Sequence, residues 1–234
     1  ATLDKVVASM SSATATGSSG STATSTTDTF TSIENIKASA GNDTLTGDSN
    51  ANTLNGEAGD DFLYGAGGND YIDGGTNTAV GDTVNYSSSS DGVTVDLSSG
   101  LAQNVSASQG NDTFSSIEGV IGGSGNDILT GNSFTNTLIG NKGNDTLIGA
   151  GTSSDGGIDY LDGGEGTDFV SFSDRTSGIT LDLSNTSAQD TDGNISNDLI
   201  IQNIENAEGG SGDDKITGNS SDNVLKGLAG DDIF

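Results

Sequence analysis

The chain has no cysteine, so no disulfide holds its fold. It has no histidine either, which together with the missing thiol removes catalytic triads and thiol chemistry. Proline and tryptophan are absent too. Large side chains are scarce: only 30% of the 234 residues are apolar and 5% are aromatic. A chain with so little to bury should fail to offset its conformational entropy and stay disordered. Positive charge is also scarce. Six Lys and Arg stand against 34 Asp and Glu, for a net charge of −28. Such a chain is repelled by nucleic acid and by anionic lipid, so neither is expected as a partner. No apolar run reaches membrane-spanning length, and no membrane insertion is expected. No signal-peptide pattern opens the chain at Ala1.

What is present is order. "GSGNDILTGNSFTNTLIGNKGNDTLIG" (123–149) is three nine-residue units, each with a Gly-rich half and a short half centred on Leu. The beat puts Asp43, Asn52, Asp61 and Asp70 in the first block, each nine after the last. Asp127, Asn136 and Asp145 follow in the second, then Asp159 after a longer turn. Asp214, Asn223 and Asp232 form the third. A further turn closes the first two blocks, with Asp82 and Asp168. A longer module lies above the beat: 84 residues from Asp43 to Asp127 and 87 from Asp127 to Asp214. "DTFTSIENI", "DTFSSIEGV" and "DLIIQNIENA" each precede a block.

The expected organisation follows. Residues 1–37 are a Ser/Thr-rich segment, the end of a preceding module. Residues 38–84, 122–170 and 209–234 are repeat blocks, the last cut in mid-repeat at "GDDIF". Residues 85–121 and 171–208 are inter-block β segments. The chain therefore reads as a piece of a longer repetitive protein. The short halves predict brief strands whose centres (Leu45, Leu54, Leu63, Ile72, Val84, Leu129, Leu138, Leu147, Leu161, Val170) point inward. Glycine every few residues argues against helix. "VTVDL" (93–97) and "ITLDL" (179–183) alternate as strands, and the 45 residues from Asp82 to Asp127 have room for further coils of the same solenoid.

"GGSGND" (122–127), "GNKGND" (140–145), "GGSGDD" (209–214), "GEAGDD" (56–61) and "GAGGND" (65–70) resemble the repeat-in-toxin, or RTX, nonapeptide. The resemblance implies an all-β fold, a right-handed parallel β-roll or β-helix solenoid with several Ca²⁺ ions in its Gly/Asp-rich turns. The physical logic agrees. Two units make one coil, so turn n stacks on turn n+2 at about 4.8 Å. Asp43 then lies over Asp61 and Asp127 over Asp145, and carboxylates so close need a counter-charge. Calcium takes six to eight hard oxygens. The expected ligands are Asp43, Asp61, Asp70, Asp82, Asp127, Asp145, Asp159, Asp168, Asp214 and Asp232. Backbone carbonyls near Gly41, Gly59, Gly68, Gly125, Gly143, Gly212 and Gly230 complete the shells. Asn52, Asn136 and Asn223 fall on the opposite edge and are expected to be weak or empty sites, with amide stacking in place of an ion. Asp73 and Asp162, in "YIDGG" and "YLDGG", are candidate extra ligands. Thr44, Thr46, Thr130 and Thr146 read as a solvated β-face rather than an ice-binding one.

Regular carboxylate spacing suits ligand ladders better than one active site, so no enzyme activity is expected. The leading expectation is a calcium-binding structural region of a secreted bacterial cell-surface protein, a surface-layer, filament or adhesin component. It would fold and assemble on Ca²⁺ outside the cell, with further copies of itself or flanking modules as partners. The alternative is the C-terminal calcium-binding and secretion module of an RTX enzyme or toxin whose catalytic domain lies elsewhere.

Overall fold

The computed structural model describes residues 5–9, 14–18, 26–29, 33–77, 80–149, 158–193 and 199–234. The N-terminal segment and the turns before Asp82 and Asp159 thus lie partly outside the described residues. The chain divides into two compact units, residues 1–86 with 99–120, and residues 87–98 with 121–234. Every regular element among the described residues is a strand, as the glycine spacing dictates.

In the first unit, successive repeats alternate between two parallel stacks. Thr44–Thr46, Phe62–Tyr64 and Thr83–Asn85 pair in parallel, Leu45 beside Leu63 and Leu63 beside Val84. Asn35–Lys37, Thr53–Asn55, Tyr71–Asp73 and Gly110–Ser115 form the other stack. A residue therefore meets its equivalent two repeats on, the n to n+2 stacking expected for a coil of two units. Lys5–Ser9 adds to the first stack in parallel, and Thr14–Ser18 and Thr26–Thr29 follow it antiparallel.

The second unit repeats the plan. Thr94–Asp96, Ile128–Thr130, Thr146–Ile148, Phe169–Ser171, Asn206–Glu208 and Leu225–Lys226 run in one parallel stack. Thr137–Ile139, Asp159–Asp162 and Leu199–Gln202 form a second. Thr180–Asp182 pairs with Lys215–Thr217. This is a parallel β-roll.

The three-residue strands bury only their centres. Leu45, Leu54, Leu63, Ile72, Val84, Leu129, Leu138, Leu147, Leu161 and Val170 are all fully buried, as the beat predicts. Each contributes roughly 1.5–3 kcal/mol by burial. One such residue per repeat makes a thin core. The inter-block strands expected at 93–97 and 179–183 are there: Thr94–Asp96 joins a parallel stack, and Thr180–Asp182 pairs in parallel with Lys215–Thr217 as a separate two-stranded sheet. Gln103–Ser106 departs from the expected coil and folds back antiparallel on Gly110–Ser115. Its stretch lacks the Gly-rich half and the inward Leu that would carry another coil, so the chain closes on itself as a hairpin.

Candidate metal centres

The sixth residue of each turn lies where the chain leaves the Gly-rich half and enters a strand. Parallel stacking brings these residues into ladders, and the rungs are hydrogen bonds. The Asp43 N–H donates to Asp61 Oδ1 at 2.7 Å, and the Asp61 N–H to Asp82 Oδ1 at 2.6 Å. On the other edge, Asn52 donates to Asp70 at 2.8 Å and Asp70 to Asp112 at 3.0 Å. In the second unit Asp127 donates to Asp145, and Asp145 to Asp168, both at 2.8 Å. Asn136 donates to Asp159 at 2.8 Å and Asp214 to Asp232 at 2.9 Å. The ten aspartates read from the beat thus fall in these ladders. Asn52 and Asn136 lie on the edge opposite the first and third turns, and Asn223 lies in the stack of Glu205, whose carbonyl accepts its side-chain N–H at 2.6 Å.

The turns themselves are of two kinds. In the first and second turns of a block, the sixth side chain closes its own turn by accepting the N–H four residues back. Asp43 Oδ2 accepts from Ser39 at 2.9 Å, Asp127 Oδ2 from Gly123 at 2.7 Å and Asp214 Oδ2 from Gly210 at 2.8 Å. Asn52, Asn136 and Asn223 do the same with their amide oxygens, from Asp48, Asn132 and Asn219. That is why these turns tolerate Asn: one oxygen is enough to close them. The amide closes a turn instead of stacking on another amide, the difference from expectation.

Later turns are open. Their second residue takes left-handed backbone, at Glu57 (φ 74°), Ala66 (67°), Asn141 (72°) and Leu228 (75°). Their fourth is a glycine of positive φ: Gly59, Gly68, Gly143 and Gly230. Glycine is required there because the previous coil's carbonyl points at its Cα. A methyl on Gly59 would meet the Gly41 carbonyl, one on Gly143 the Gly125 carbonyl, and one on Gly230 the Gly212 carbonyl. The structure so brings together these carbonyl residues in pairs, while Gly68 faces the Asn50 carbonyl.

In five of the later turns the second carboxylate oxygen has no hydrogen-bond partner. Oδ2 of Asp61, Asp70, Asp82, Asp145 and Asp168 is buried without a hydrogen bond. An ionised oxygen so placed is costly. Burial, with like charge adding to it, pushes Asp70, Asp82 and Asp145 up to about 7 and Asp61 and Asp168 up to about 6. Burial raises Asp127 as well, against the N–H groups of Val93 and Gly123 that lower it. The orphaned Oδ2 of Asp61, Asp82, Asp145 and Asp168 also shares a cradle with a backbone carbonyl. A methyl on Gly56 would meet both Asp61 Oδ2 and the Gly74 carbonyl, and one on Gly140 both Asp145 Oδ2 and the Gly163 carbonyl. Buried anionic oxygens beside carbonyls are the donor set of a hard cation such as Ca²⁺, so these residues fit the ion. Among the described residues no three acidic side chains converge as a metal cluster. A cation here must therefore take most of its oxygens from backbone.

The ladder through Asn52 and Asp70 ends differently. Asp112 Oδ2 accepts the hydroxyl of fully buried Tyr86 at 2.9 Å. Burial raises that phenol well above its usual range, so it remains a neutral donor. Asp112 was not among the expected ligands, although it repeats the Gly-Asn-Asp signature at 110–112. Glu118 and Glu205 were missed as well. Their N–H acceptor role at the ends of two ladders needs the fold to be seen. Asp73 and Asp162 sit in strands outside the turns, where Asn55 and Asn203 side chains donate to them.

A family model described as the RTX calcium-binding nonapeptide repeat, in four copies, matches residues 28–58, 46–78, 121–152, 153–173 and 204–234, more than half of the chain. No curated protein gives a significant match.

Proposed function

The chain belongs to the RTX calcium-binding nonapeptide repeat family, and from that membership we propose that it is a structural, non-catalytic region of a secreted bacterial cell-surface protein. Calcium binding is a property of the repeat. The finer reading is that calcium completes this fold outside the cell, where the free ion is plentiful, and that the completed roll assembles with flanking modules or further copies. The observation that carries it is the row of buried, unpartnered carboxylate oxygens running coil after coil through each unit. A roll so built is unfinished until a cation neutralises it.

Asp61, Asp70, Asp82, Asp145 and Asp168 would hold ions through Oδ2, with carbonyls of stacked turns as the remaining donors. The ion supplies positive charge between coils, and each residue's Oδ1 keeps the rung to the next coil. Inter-block strands that pair in parallel with repeat strands, Thr94–Asp96 with Ile128–Thr130 and Thr180–Asp182 with Lys215–Thr217, support a scaffold role, since they extend the roll rather than adding a separate site. Sedimentation of the full-length protein with and without millimolar calcium tests the reading. Calcium-dependent higher assembly is the expected result. A strict monomer at high calcium, joined to a catalytic domain in the reading frame, would replace it with the enzyme-tail alternative.

A further inference from the structure

The ladders through Asp82 and Asp168 do not end in aspartate. The Asp82 N–H donates to Glu118 Oε2 at 3.0 Å, and the Asp168 N–H to Glu205 Oε2 at 2.9 Å. Each glutamate takes the place that an aspartate Oδ1 holds on the earlier rungs. The backbone pins it there. The N–H groups of Glu118 and Gly119 both return to the Asp82 carbonyl, at 3.0 and 2.8 Å. Those of Glu205 and Asn206 return to the Asp168 carbonyl, at 3.2 and 2.9 Å. The isoleucine before each glutamate, Ile117 or Ile204, is buried and anchors the segment.

A second feature points to a ligand. Oδ2 of Asp82 and of Asp168 is unpartnered, and both residues are 0% exposed. Two residues before each glutamate the backbone turns left-handed, at Ser116 (φ 52°) and Asn203 (φ 51°). Neither is glycine, so the conformation carries a cost of order 1 kcal/mol. It brings the Ser116 carbonyl oxygen and Asp82 Oδ2 against the same point, where a methyl on Gly74 would strike both. The Asn203 carbonyl and Asp168 Oδ2 meet a methyl on Gly163 in the same way. The arrangement is built twice, once in each unit, on "SSIEGV" and "QNIENA", which share little beyond Ile-Glu. Glu118 lies outside the stretches that match the nonapeptide family.

We propose that Glu118 with Asp82, and Glu205 with Asp168, form one terminal divalent-cation site each, completed by the carbonyls of Ser116 and Asn203. The proposal rests on the reading that the aspartate ladders bind calcium, and it extends them one ion beyond the last nonapeptide turn. The Ile-Glu segment then ends a block by supplying a carboxylate from the coil that follows it.

The test is a CaCl₂ titration by calorimetry, with bound ions counted by atomic absorption after dialysis. It compares wild type with E118Q/E205Q and with E118A/E205A. Glutamine keeps an oxygen for the Asp N–H but removes the charge. Both double variants should therefore lose the two terminal ions from the tight class, weakened at least about tenfold, as expected for damage to a metal site. Single E118Q and E205Q proteins, each losing one ion, serve where a double variant does not fold. A glutamine variant with the wild-type isotherm, beside a deficient alanine variant, would overturn the proposal and leave the glutamates as backbone acceptors only. A wild type that binds no calcium would sink both this and the ladder reading.

Discussion

Asp127 and Asp145 are one coil apart, each the sixth residue of a Gly-rich turn, yet their carboxylates live differently. Asp127 spends Oδ2 on the Gly123 N–H and Oδ1 on the Val93 N–H. Asp145 gives Oδ1 to the Asp127 N–H and leaves Oδ2 buried and bare. The difference lies in the turn. "GGSGND" closes around its aspartate, whereas "GNKGND" turns left-handed at Asn141 and Gly143. In the first unit Asp43 and Asp61 divide in the same way. A carboxylate on the beat is therefore not always left in need of a partner. A closed turn solvates its own anion with backbone N–H, and an open turn leaves one carboxylate oxygen without a hydrogen bond.

Four expectations follow from that contrast, and the largest is the effect of chelation. With calcium withdrawn, open-turn carboxylates in adjacent coils repel across a thin core, and the roll should lose its cooperative fold near neutral pH. Circular dichroism in chelator, then in millimolar calcium, reads this; a β spectrum indifferent to chelator would count against it. Acidification comes next. Asp61, Asp70, Asp82, Asp145 and Asp168 have folded-state values of about 6 to 7 against an ordinary 3.8, so the metal-free fold binds more protons than the unfolded chain. Their destabilising effect is full above about pH 7 and fades as pH falls toward 4. In chelator, the β signal in circular dichroism should be partly regained at pH 5 relative to pH 8, and a stronger signal at pH 8 would contradict the burial argument. In calcium the trend inverts, because protons compete with the ion.

Single-residue effects are smaller. Asp145→Asn should raise the calcium midpoint of folding by roughly tenfold, the scale of a damaged metal site. Asp127→Asn should cost about 1 kcal/mol for one lost backbone bond and move that midpoint little. Asn136→Ala should behave like the latter, since its amide oxygen only closes the Asn132 turn. Equal shifts for Asp145→Asn and Asn136→Ala would erase the distinction between turns. The smallest effect is at Ala66, held at φ 67° in an open turn. Ala66→Gly should stabilise the calcium form by up to about 1 kcal/mol, seen as a higher melting temperature. Destabilisation there would mean the left-handed turn is not the calcium-bound one.

Much of this was legible in the sequence. Leu45, Leu129 and their equivalents fix the period, and the period alone sets the stacking of Asp43 on Asp61. The loss of charge at Asn52, Asn136 and Asn223 was legible as a fact but not as a cause. Whether a turn closes depends on backbone angles that "GGSGND" and "GNKGND" do not separate by residue type at the sixth place. Asp112 carried the signature but sat off the nine-residue beat. Glu118 and Glu205 carried no ligand spacing at all. They reach the ladder only because Ile117 and Ile204 bury and lay the segment along the last coil.

The most direct measurement is anomalous diffraction from crystals of this chain grown with calcium. Metal peaks are expected at about 2.3–2.6 Å from Oδ2 of Asp61, Asp70, Asp82, Asp145 and Asp168. Ordered crystals whose only peaks lie on solvent-exposed carboxylates, with those five oxygens still bare, would contradict that expectation.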